Sequence, residues 1–241
     1  MHQMNDLHHQ SRSEPPSKET GGCYDPRRTG VPTPSKSRIG CNSPGFPTLI
    51  VVSGAPGTGK TTLARHLAKA CGLPLVSRDD IYEDLVQAGG AVGQPASRGA
   101  GDAVAKAAYT AFFGAVERAL AAGQSVIAEA AFQHRLWAPG LERVTAGGAT
   151  VRVVLCMAPV SVTGQRIVSR AGQVPPLSAH TDPAMFGLIA RGELSHDGWV
   201  PIQLDVPVLE VDTTDGYQPP LELIEAFASR SPQEDGPGAG A

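Results

Sequence analysis

The eight residues Gly54-Ala-Pro-Gly-Thr-Gly-Lys-Thr61 constrain the fold of this chain more than any other segment. A compact apolar run, Thr48–Ser53, precedes them and indicates a strand buried on both faces, and a helical pattern over Lys60–Ala70 follows. Glycines let the backbone of such a turn curl until successive N–H groups point inward, and the helix presents its positive N-terminal end to the same place. The segment therefore predicts an anion-binding loop at a strand-to-helix junction.

The spacing of this loop is that of the Walker A pattern, which binds the phosphates of ATP or GTP. Lys60 is expected to bring a full positive charge to the outer phosphates, and the Thr61 hydroxyl to complete the coordination of Mg2+. The other interpretation, a chance glycine-rich turn, accounts for neither the strand nor the helix. The predicted cofactors are ATP and Mg2+, with GTP left open. The predicted nucleotide contacts are Gly54, Ala55, Pro56, Gly57, Thr58, Gly59, Lys60, Thr61 and Thr62.

Short apolar runs alternate with helical patterns through the middle of the chain. This alternation predicts an α/β fold with a parallel sheet covered by helices on both faces and joined by right-handed crossovers. The predicted strands are Thr48–Ser53, Leu73–Ser77, Ser125–Glu129, Thr150–Met157 and Val206–Val211. The predicted helices cover residues 60–70, 81–88, 103–122, 136–147, 160–171, 183–191 and 221–229.

The two ends of the chain differ from its middle in composition. Residues 1–46 and 231–241 are rich in Ser, Pro, Gly and charged residues and carry few large apolar side chains, so we expect disordered tails. Residues 47–230 are predicted to form one nucleotide-binding domain. Their core must consist mainly of aliphatic side chains, because aromatic residues make up only 5% of the chain.

Charge and cysteine usage narrow the possible partners and location. A net charge of −3 argues against a general nucleic-acid binder, and no apolar run is long enough to suggest a membrane span or a signal peptide. Cys23, Cys41, Cys71 and Cys156 have no metal-site spacing, which favours reduced thiols in a cytoplasmic protein. Oligomeric state is left open.

Acidic residues follow two of the predicted strands. Asp79 and Asp80 stand at the carboxyl end of the second strand, the rim where open α/β sheets bind ligands. A carboxylate there can orient an acceptor hydroxyl and take its proton, and we favour Asp79 for that role and Asp80 for capping the next helix. Alternatively, both acids cap the helix that starts near Ile81. Glu129 closes the third strand and is expected to hold the Mg2+ shell through water or to contact the acceptor.

Arg166 and Arg170 lie four residues apart in a predicted helix and therefore on one face, beside the polar Gln165 and Ser169. Arginines in that place can neutralise charge that builds on a phosphoryl group during transfer. The alternative interpretation is a solvated surface pair.

Taken together, Ser53–Thr62, Ser77-Arg-Asp-Asp80, Glu129 and Arg166-x-x-x-Arg170 resemble the P-loop kinases related to polynucleotide 5′-kinase domains, zeta-toxin kinases and chloramphenicol phosphotransferases, a group with an AAA_33-type ATP-binding domain. The resemblance spans residues 48 to about 213. It implies five parallel strands in the order 2-3-1-4-5, Asp79 as the base, and Arg166 and Arg170 as lid residues on the donor phosphates.

Two departures from that group bear on the acceptor. Tyr82-Glu-Asp84 stands where polynucleotide kinases commonly carry a second basic residue, and Ala131 replaces an Asn after the third strand. We therefore expect a kinase that phosphorylates a hydroxyl of a small molecule: a sugar, nucleotide-sugar, nucleoside or antibiotic. The alternatives are a nucleic-acid 5′-hydroxyl kinase and a non-catalytic nucleotide-dependent switch.

Other segments carry weaker signals. Gly89–Gly101 is predicted to be a mobile loop that influences acceptor specificity, and Gly172–Asp182, with His180, a lid segment that Arg191 could join. Further candidates are Phe132 and His134, as lining of the acceptor pocket, and Asp212-Thr-Thr214, near the nucleotide base. An ordinary loop or a packed side chain is the alternative in each case.

Overall fold

A computed structural model describes residues 46–88, 103–171 and 183–230. The two predicted tails, apart from Phe46, lie outside the described residues, as do the predicted Gly89–Gly101 loop and the Gly172–Asp182 lid segment. Cys23 and Cys41 also lie outside them.

Strands and helices alternate along the described part of the chain as the sequence predicts. The strands are β1 (Thr48–Gly54), β2 (Leu75–Ser77), β3 (Val126–Glu129), β4 (Thr150–Met157) and β5 (Val208–Asp212). The helices are α1 (Lys60–Cys71), α2 (Arg78–Ala88), α3 (Ala103–Ala121), α4 (His134–Ala146), α5 (Val160–Ala171), α6 (Pro183–Ala190) and α7 (Leu221–Ser229).

The five strands form one parallel sheet in the order β2-β3-β1-β4-β5, which confirms the predicted fold. The central strand β1 pairs with β3 on one side and β4 on the other, so that Val52 lies beside both Glu129 and Val154. Because all strands run in the same direction, their carboxyl ends meet at one edge. The phosphate loop, Glu129 and the start of α2 all lie at that edge.

Side chains of β1 alternate between two cores, one on each face of the sheet. Leu49 and Val51 pack with α3 and α4, whereas Ile50 and Val52 pack with α1 and α7. All seven residues of β1 are buried, which explains why the sequence shows a continuous apolar run there instead of an alternating one. The result is a three-layer α/β/α sandwich.

The start of α2 differs from the prediction. The helix begins at Arg78, three residues before the expected start at Ile81, because the Ser77 hydroxyl accepts a hydrogen bond from the Asp80 N–H (3.4 Å) and so caps the helix. The prediction that Asp80 is the cap is therefore wrong. The fifth strand also begins two residues later than predicted, at Val208.

The structure describes two of the four cysteines. Cys71 ends α1 and Cys156 is buried in β4, and both are free thiols. Across residues 46–88, 103–171 and 183–230, no helix has both the length and the apolar character needed to cross a bilayer.

A cluster of aromatic rings joins α3 to α4. Phe113 packs against Tyr109, Phe112 and Trp137, with ring centroids 4.9, 5.4 and 5.6 Å away. Gly140 on α4 faces this cluster, and a Cβ atom there would lie 2.2 Å from the Phe113 ring. The absence of a side chain at Gly140 therefore sets how closely the two helices approach.

We predict that Gly140→Ala lowers the free energy of unfolding by about 1–3 kcal/mol, since the buried Phe113 ring has no room to move and overpacking costs about that much. Gly114→Ala on α3 is the matched control. Its Cβ meets only the end of the exposed Arg118 side chain, at 3.3 Å, so we expect no loss there and a gain of up to about 1 kcal/mol from helix propensity. Urea unfolding of both variants checks this, and equal stability of the two would contradict it.

Candidate active site

The loop between β1 and α1 has the backbone of an anion-binding turn. Gly57 and Gly59 have φ values of 83° and 82°, a left-handed conformation that strains any residue with a side chain. Gly59 is also the N-cap of α1, so the positive end of the helix is directed into the loop. Thr58 holds the turn closed by donating its hydroxyl to the Ala55 carbonyl at 2.8 Å.

Helix α5 lies directly against this loop. A Cβ atom at Gly57 would lie 2.8 Å from the carbonyl oxygen of Thr163, so only glycine allows this contact. Thr163 is fully buried, and its hydroxyl lies 3.0 Å from the Val160 carbonyl and 3.1 Å from His196 Nε2. Because that hydroxyl has one proton, which it donates to Val160, His196 is the donor in the second contact. The phosphate loop therefore rests on α5, and α5 on the segment after α6.

A buried carboxylate, Glu129, organises the carboxyl edge of the sheet. Thr61 donates its hydroxyl to Oε1 at 3.2 Å, and Ser77 donates to Oε2 at 3.0 Å. Lys60 Nζ lies 4.0 Å from Oε1, and Glu129 is only 1% exposed. Three elements, α1, β2 and β3, therefore converge on one carboxyl group.

Burial raises the pKa of Glu129 above its usual value. Desolvation is the largest cause, and the negative charge of Asp79 adds to it. The charge of Lys60 and the hydrogen bonds from Ser77 and Thr61 act in the opposite direction. The Asp79 carboxylate therefore lies close enough for its charge to act on Glu129.

The chemistry of this cluster fits Mg2+. Among the described residues, no three His, Cys, Asp or Glu side chains come together as a metal site. Mg2+ in nucleotide sites does not need such a group, because it usually keeps several waters and binds substrate phosphates with one or two protein oxygens. The Thr61 hydroxyl and the Glu129 carboxylate, 3.2 Å apart beside Lys60, supply oxygens of that kind.

The two adjacent acids of α2 have different surroundings. Asp79 forms an ion pair with Arg78 (3.1 Å), in which the two side chains are only 23% and 19% exposed. Asp80 lies instead within 3.4 Å of Arg65 on α1, and both of those side chains are more than half exposed. Of the two, Asp79 is the carboxylate that borders the polar cluster.

The two arginines of α5 lie on one face, as predicted. Together with Gln165 and Ser169, Arg166 and Arg170 line an open depression. The Arg166 guanidinium donates to the Thr213 hydroxyl at 3.3 Å and to the carbonyls of Thr213 and Thr214 at 2.5 and 3.1 Å. It also lies 3.9 Å from where a Cβ of Gly59 would stand, directly beside the phosphate loop.

Thr213 was only a weak candidate in the sequence, yet it joins several parts of the site. It is 4% exposed, and its hydroxyl lies 2.7 Å from the carbonyl oxygen of Thr58 in the phosphate loop. Its N–H donates to the Met157 carbonyl at 2.9 Å. The only sequence signal was its place directly after the last strand.

The loop after β3 holds the acceptor-side candidates. Phe132 is fully buried, with a φ of 45°, and packs in the aromatic core, so the structure favours the packed alternative over a pocket lining. His134 begins α4 and accepts a hydrogen bond from the Gln203 N–H at 3.2 Å. Trp199, which the sequence analysis missed, donates its indole N–H to the Ala131 carbonyl at 2.9 Å. Arg191 pairs with the exposed Glu193 at 2.7 Å.

Cys156 lies beneath the phosphate loop without taking part in its chemistry. It pairs in register with Gly54, and burial raises the pKa of its thiol to about 12. A thiol that holds its proton so strongly is a packing residue and not a nucleophile.

A five-stranded parallel sheet in this order, with a Walker A loop at its carboxyl edge, defines the fold of a P-loop kinase. The sequence profile of AAA_33, described as an AAA domain, matches residues 49–182, which is more than half of the chain. The chain therefore belongs to the AAA_33 family.

Comparison with known proteins agrees with this assignment. A crystal structure of a candidate kinase from Chloroflexus aurantiacus superposes with a TM-score of 0.62 at 30% identity, covering 76% of this chain and 94% of that one. A cytidylate kinase of Pyrobaculum aerophilum is 51% identical over 37 residues, which are 15% of this chain and 20% of that protein.

An uncharacterized protein of Mycobacterium tuberculosis is 31% identical over 152 residues, which are 61% of this chain. The matched region is 30% of the mycobacterial protein, so the chain spans under a third of the length of these curated relatives.

We predict that Glu129→Gln makes the protein more stable at pH 8. The folded-state pKa is raised, so the stabilising contribution of the protonated form is present at low pH and is lost as the pH rises through that value. Gln has nearly the same shape as Glu129 but carries no charge to be buried. The difference in unfolding free energy from wild type should therefore shrink as the pH is lowered towards the ordinary carboxyl range.

Urea unfolding at several pH values measures this difference. Glu142→Gln, on the exposed face of α4, is the matched control and should show no such gain. A Glu129→Gln protein less stable than wild type at pH 8 would show that the contacts of Lys60, Thr61 and Ser77 outweigh desolvation.

Proposed function

We propose that residues 47–230 form a kinase domain that transfers the γ-phosphate of ATP, as its Mg2+ complex, to a hydroxyl group of a small molecule. One observation supports this proposal: the residues that we propose for donor, metal and acceptor lie together at one edge of the sheet. Lys60 Nζ lies 4.0 Å from Glu129, Thr61 contacts the same carboxylate, and Asp79 lies within its electrostatic field.

The donor side supplies charge to the phosphates. In the proposed complex, the N–H groups of the loop and the α1 N-terminus hold the phosphates, and Lys60 neutralises the outer ones. Thr61 and Glu129 would hold Mg2+, which supplies further positive charge to the phosphate oxygens. Arg166 lies beside the loop, and Arg170 lines the same depression on α5; both would stabilise the negative charge that builds on the transferred group.

On the acceptor side, Asp79 would accept the proton of the attacking hydroxyl. An ion pair with Arg78, whose Nη1 lies 3.1 Å from Asp79 Oδ1, holds this carboxylate in place at the start of α2. A carboxylate that takes the proton of the acceptor favours transfer to an alcohol, whereas a nucleotide-dependent switch needs no acceptor base.

Two features of the sequence support a small acceptor: Tyr82-Glu-Asp84 stands where polynucleotide kinases commonly carry a basic residue, and Ala131 replaces an Asn. Arg78 stacks over the buried Tyr82 ring at 4.9 Å and is thereby held beside Asp79. After β3, the Trp199 indole N–H donates to the Ala131 carbonyl, and the His134 N–H at the start of α4 donates to the Val200 carbonyl. The net charge of −3 adds no support for a long polyanionic acceptor. The free thiols of Cys71 and Cys156 suit a reducing compartment, and we propose a cytoplasmic location.

ADP release by the full chain tests this function. The protein is incubated with Mg2+ and ATP, alone and with pools of sugars, nucleosides, nucleotide-sugars, aminoglycosides or 5′-hydroxyl oligonucleotides. Turnover stimulated by a small-molecule pool and abolished in Lys60→Ala supports the proposal. Stimulation by oligonucleotides alone would favour the 5′-kinase, and tight ATP binding without stimulation by any pool would favour the switch.

We predict that Asp79→Asn lowers kcat by about 100-fold or more, as loss of a general base does, while KM for ATP changes by less than about threefold. Asp84→Asn, exposed on the same helix, is the matched control and should keep wild-type kinetics. Phosphate transfer by Asp79→Asn at the wild-type rate would show that the base is assigned to the wrong residue.

A further inference from the structure

The loop after β5 is held against the phosphate loop by one buried side chain, Thr213. Its hydroxyl lies 2.7 Å from the Thr58 carbonyl and 3.1 Å from the Met157 carbonyl. The hydroxyl has a single proton, and the Met157 carbonyl already accepts the Thr213 N–H at 2.9 Å. We therefore assign the proton to the shorter contact, with Thr58.

The same hydroxyl oxygen accepts a hydrogen bond from Arg166 Nη1 at 3.3 Å. Arg166 Nη2 is bound to the carbonyls of Thr213 and Thr214. A guanidinium has five N–H donors in a rigid plane, so three contacts to one loop determine its orientation. Thr213 thus contacts both the phosphate loop and Arg166 through its hydroxyl.

We propose that Thr213 is a positioning residue of the nucleotide site: its hydroxyl holds the Thr58 carbonyl outward and, through the same oxygen, orients the Arg166 guanidinium. This inference rests on the proposed nucleotide site. It adds to that site a residue that acts on the nucleotide through the phosphate loop and Arg166.

The geometry of the peptide bond explains the effect on the phosphate loop. In a trans peptide the C=O and N–H bonds point in opposite directions. Thr213 draws the carbonyl of the Thr58–Gly59 peptide to itself, which directs the Gly59 N–H away from Thr213. An anion-binding loop works only when its N–H groups converge, so a carbonyl fixed on the outside keeps one N–H available on the inside.

Loss of the Thr213 hydroxyl would also affect the N–H groups of Arg166 that are left to contact the nucleotide. Three of its N–H groups are used by Thr213 and Thr214, and its guanidinium lies beside Gly59. The two remaining N–H groups of Arg166 can face the phosphates of the nucleotide only while the guanidinium keeps this orientation. Loss of the Thr213 hydroxyl is therefore expected to weaken nucleotide binding and to lower the rate of transfer together.

Thr213→Val, which removes the hydroxyl at nearly constant volume, tests the proposal in the full chain. The first readout is the equilibrium affinity for a non-hydrolysable ATP analogue with Mg2+, which needs no acceptor. We expect about tenfold weaker binding, the cost of a buried acceptor that loses its partner, and a larger fall in kcat/KM. Thr213→Ser keeps the hydroxyl and should stay within about threefold of wild type.

Thr110→Val is the matched control, because Thr110 is exposed on α3 and its hydroxyl bonds only its own helix, at the Lys106 carbonyl. Urea unfolding without nucleotide shows whether each variant is folded. If Thr213→Val does not fold, Thr213→Ala, which avoids an apolar methyl against the Thr58 carbonyl, takes its place. A Thr213→Val protein that binds the analogue as tightly as Thr213→Ser would overturn the proposal.

A double-mutant cycle with Arg166→Lys separates positioning from a general loss of packing. If Thr213 orients Arg166, Arg166→Lys should lower kcat/KM much less in the Thr213→Val background than in wild type. Equal effects in both backgrounds would overturn this part of the proposal. If wild type binds the analogue but phosphorylates no acceptor, the proposed function fails, whereas the affinity comparison still tests Thr213.

Discussion

The arrangement of the site depends on one buried carboxylate. Glu129 is 1% exposed, and an ionised carboxyl group in such a place needs donors and a nearby positive charge. Thr61, Ser77 and Lys60 provide them from β2 and from the start of α1. These contacts connect the helix that follows the phosphate loop to the strand that leads into the acid-bearing helix α2. The proposed donor and acceptor sides of the site are thereby held in a fixed position relative to each other.

The same carboxylate also lowers the stability of the fold at neutral pH, since burial raises its pKa. The retention of a charged group there is consistent with a role in binding Mg2+, for which a desolvated oxygen beside Lys60 is suited. Stability and the proposed chemistry therefore oppose each other at this position.

Much of the fold follows from local patterns. The apolar run of β1 and the helical periodicity of α1 and α5 are strong because each element is buried in a regular way. The start of α2 was harder to predict. Ser77, Asp79 and Asp80 lie within four residues of one another there, and each is of a type that can cap a helix. In the structure the Ser77 hydroxyl is the cap. The strand order came from resemblance, because pairing between distant strands leaves no local signal.

By itself, the sequence determined the phosphate loop, since glycines, lysine and threonine at fixed spacing can do their work within one strand-loop-helix unit. It also indicated which residues carry charge at the strand ends. Only the tertiary structure decided which of them meet. In the structure Asp79 and Asp80 have different ion-pair partners, and Phe132 is buried in the core. The Thr213 hydroxyl lies 2.7 Å from the phosphate loop. The physical reason is that Thr213 and Thr58 are 155 residues apart in sequence, so their contact exists only once the sheet has formed.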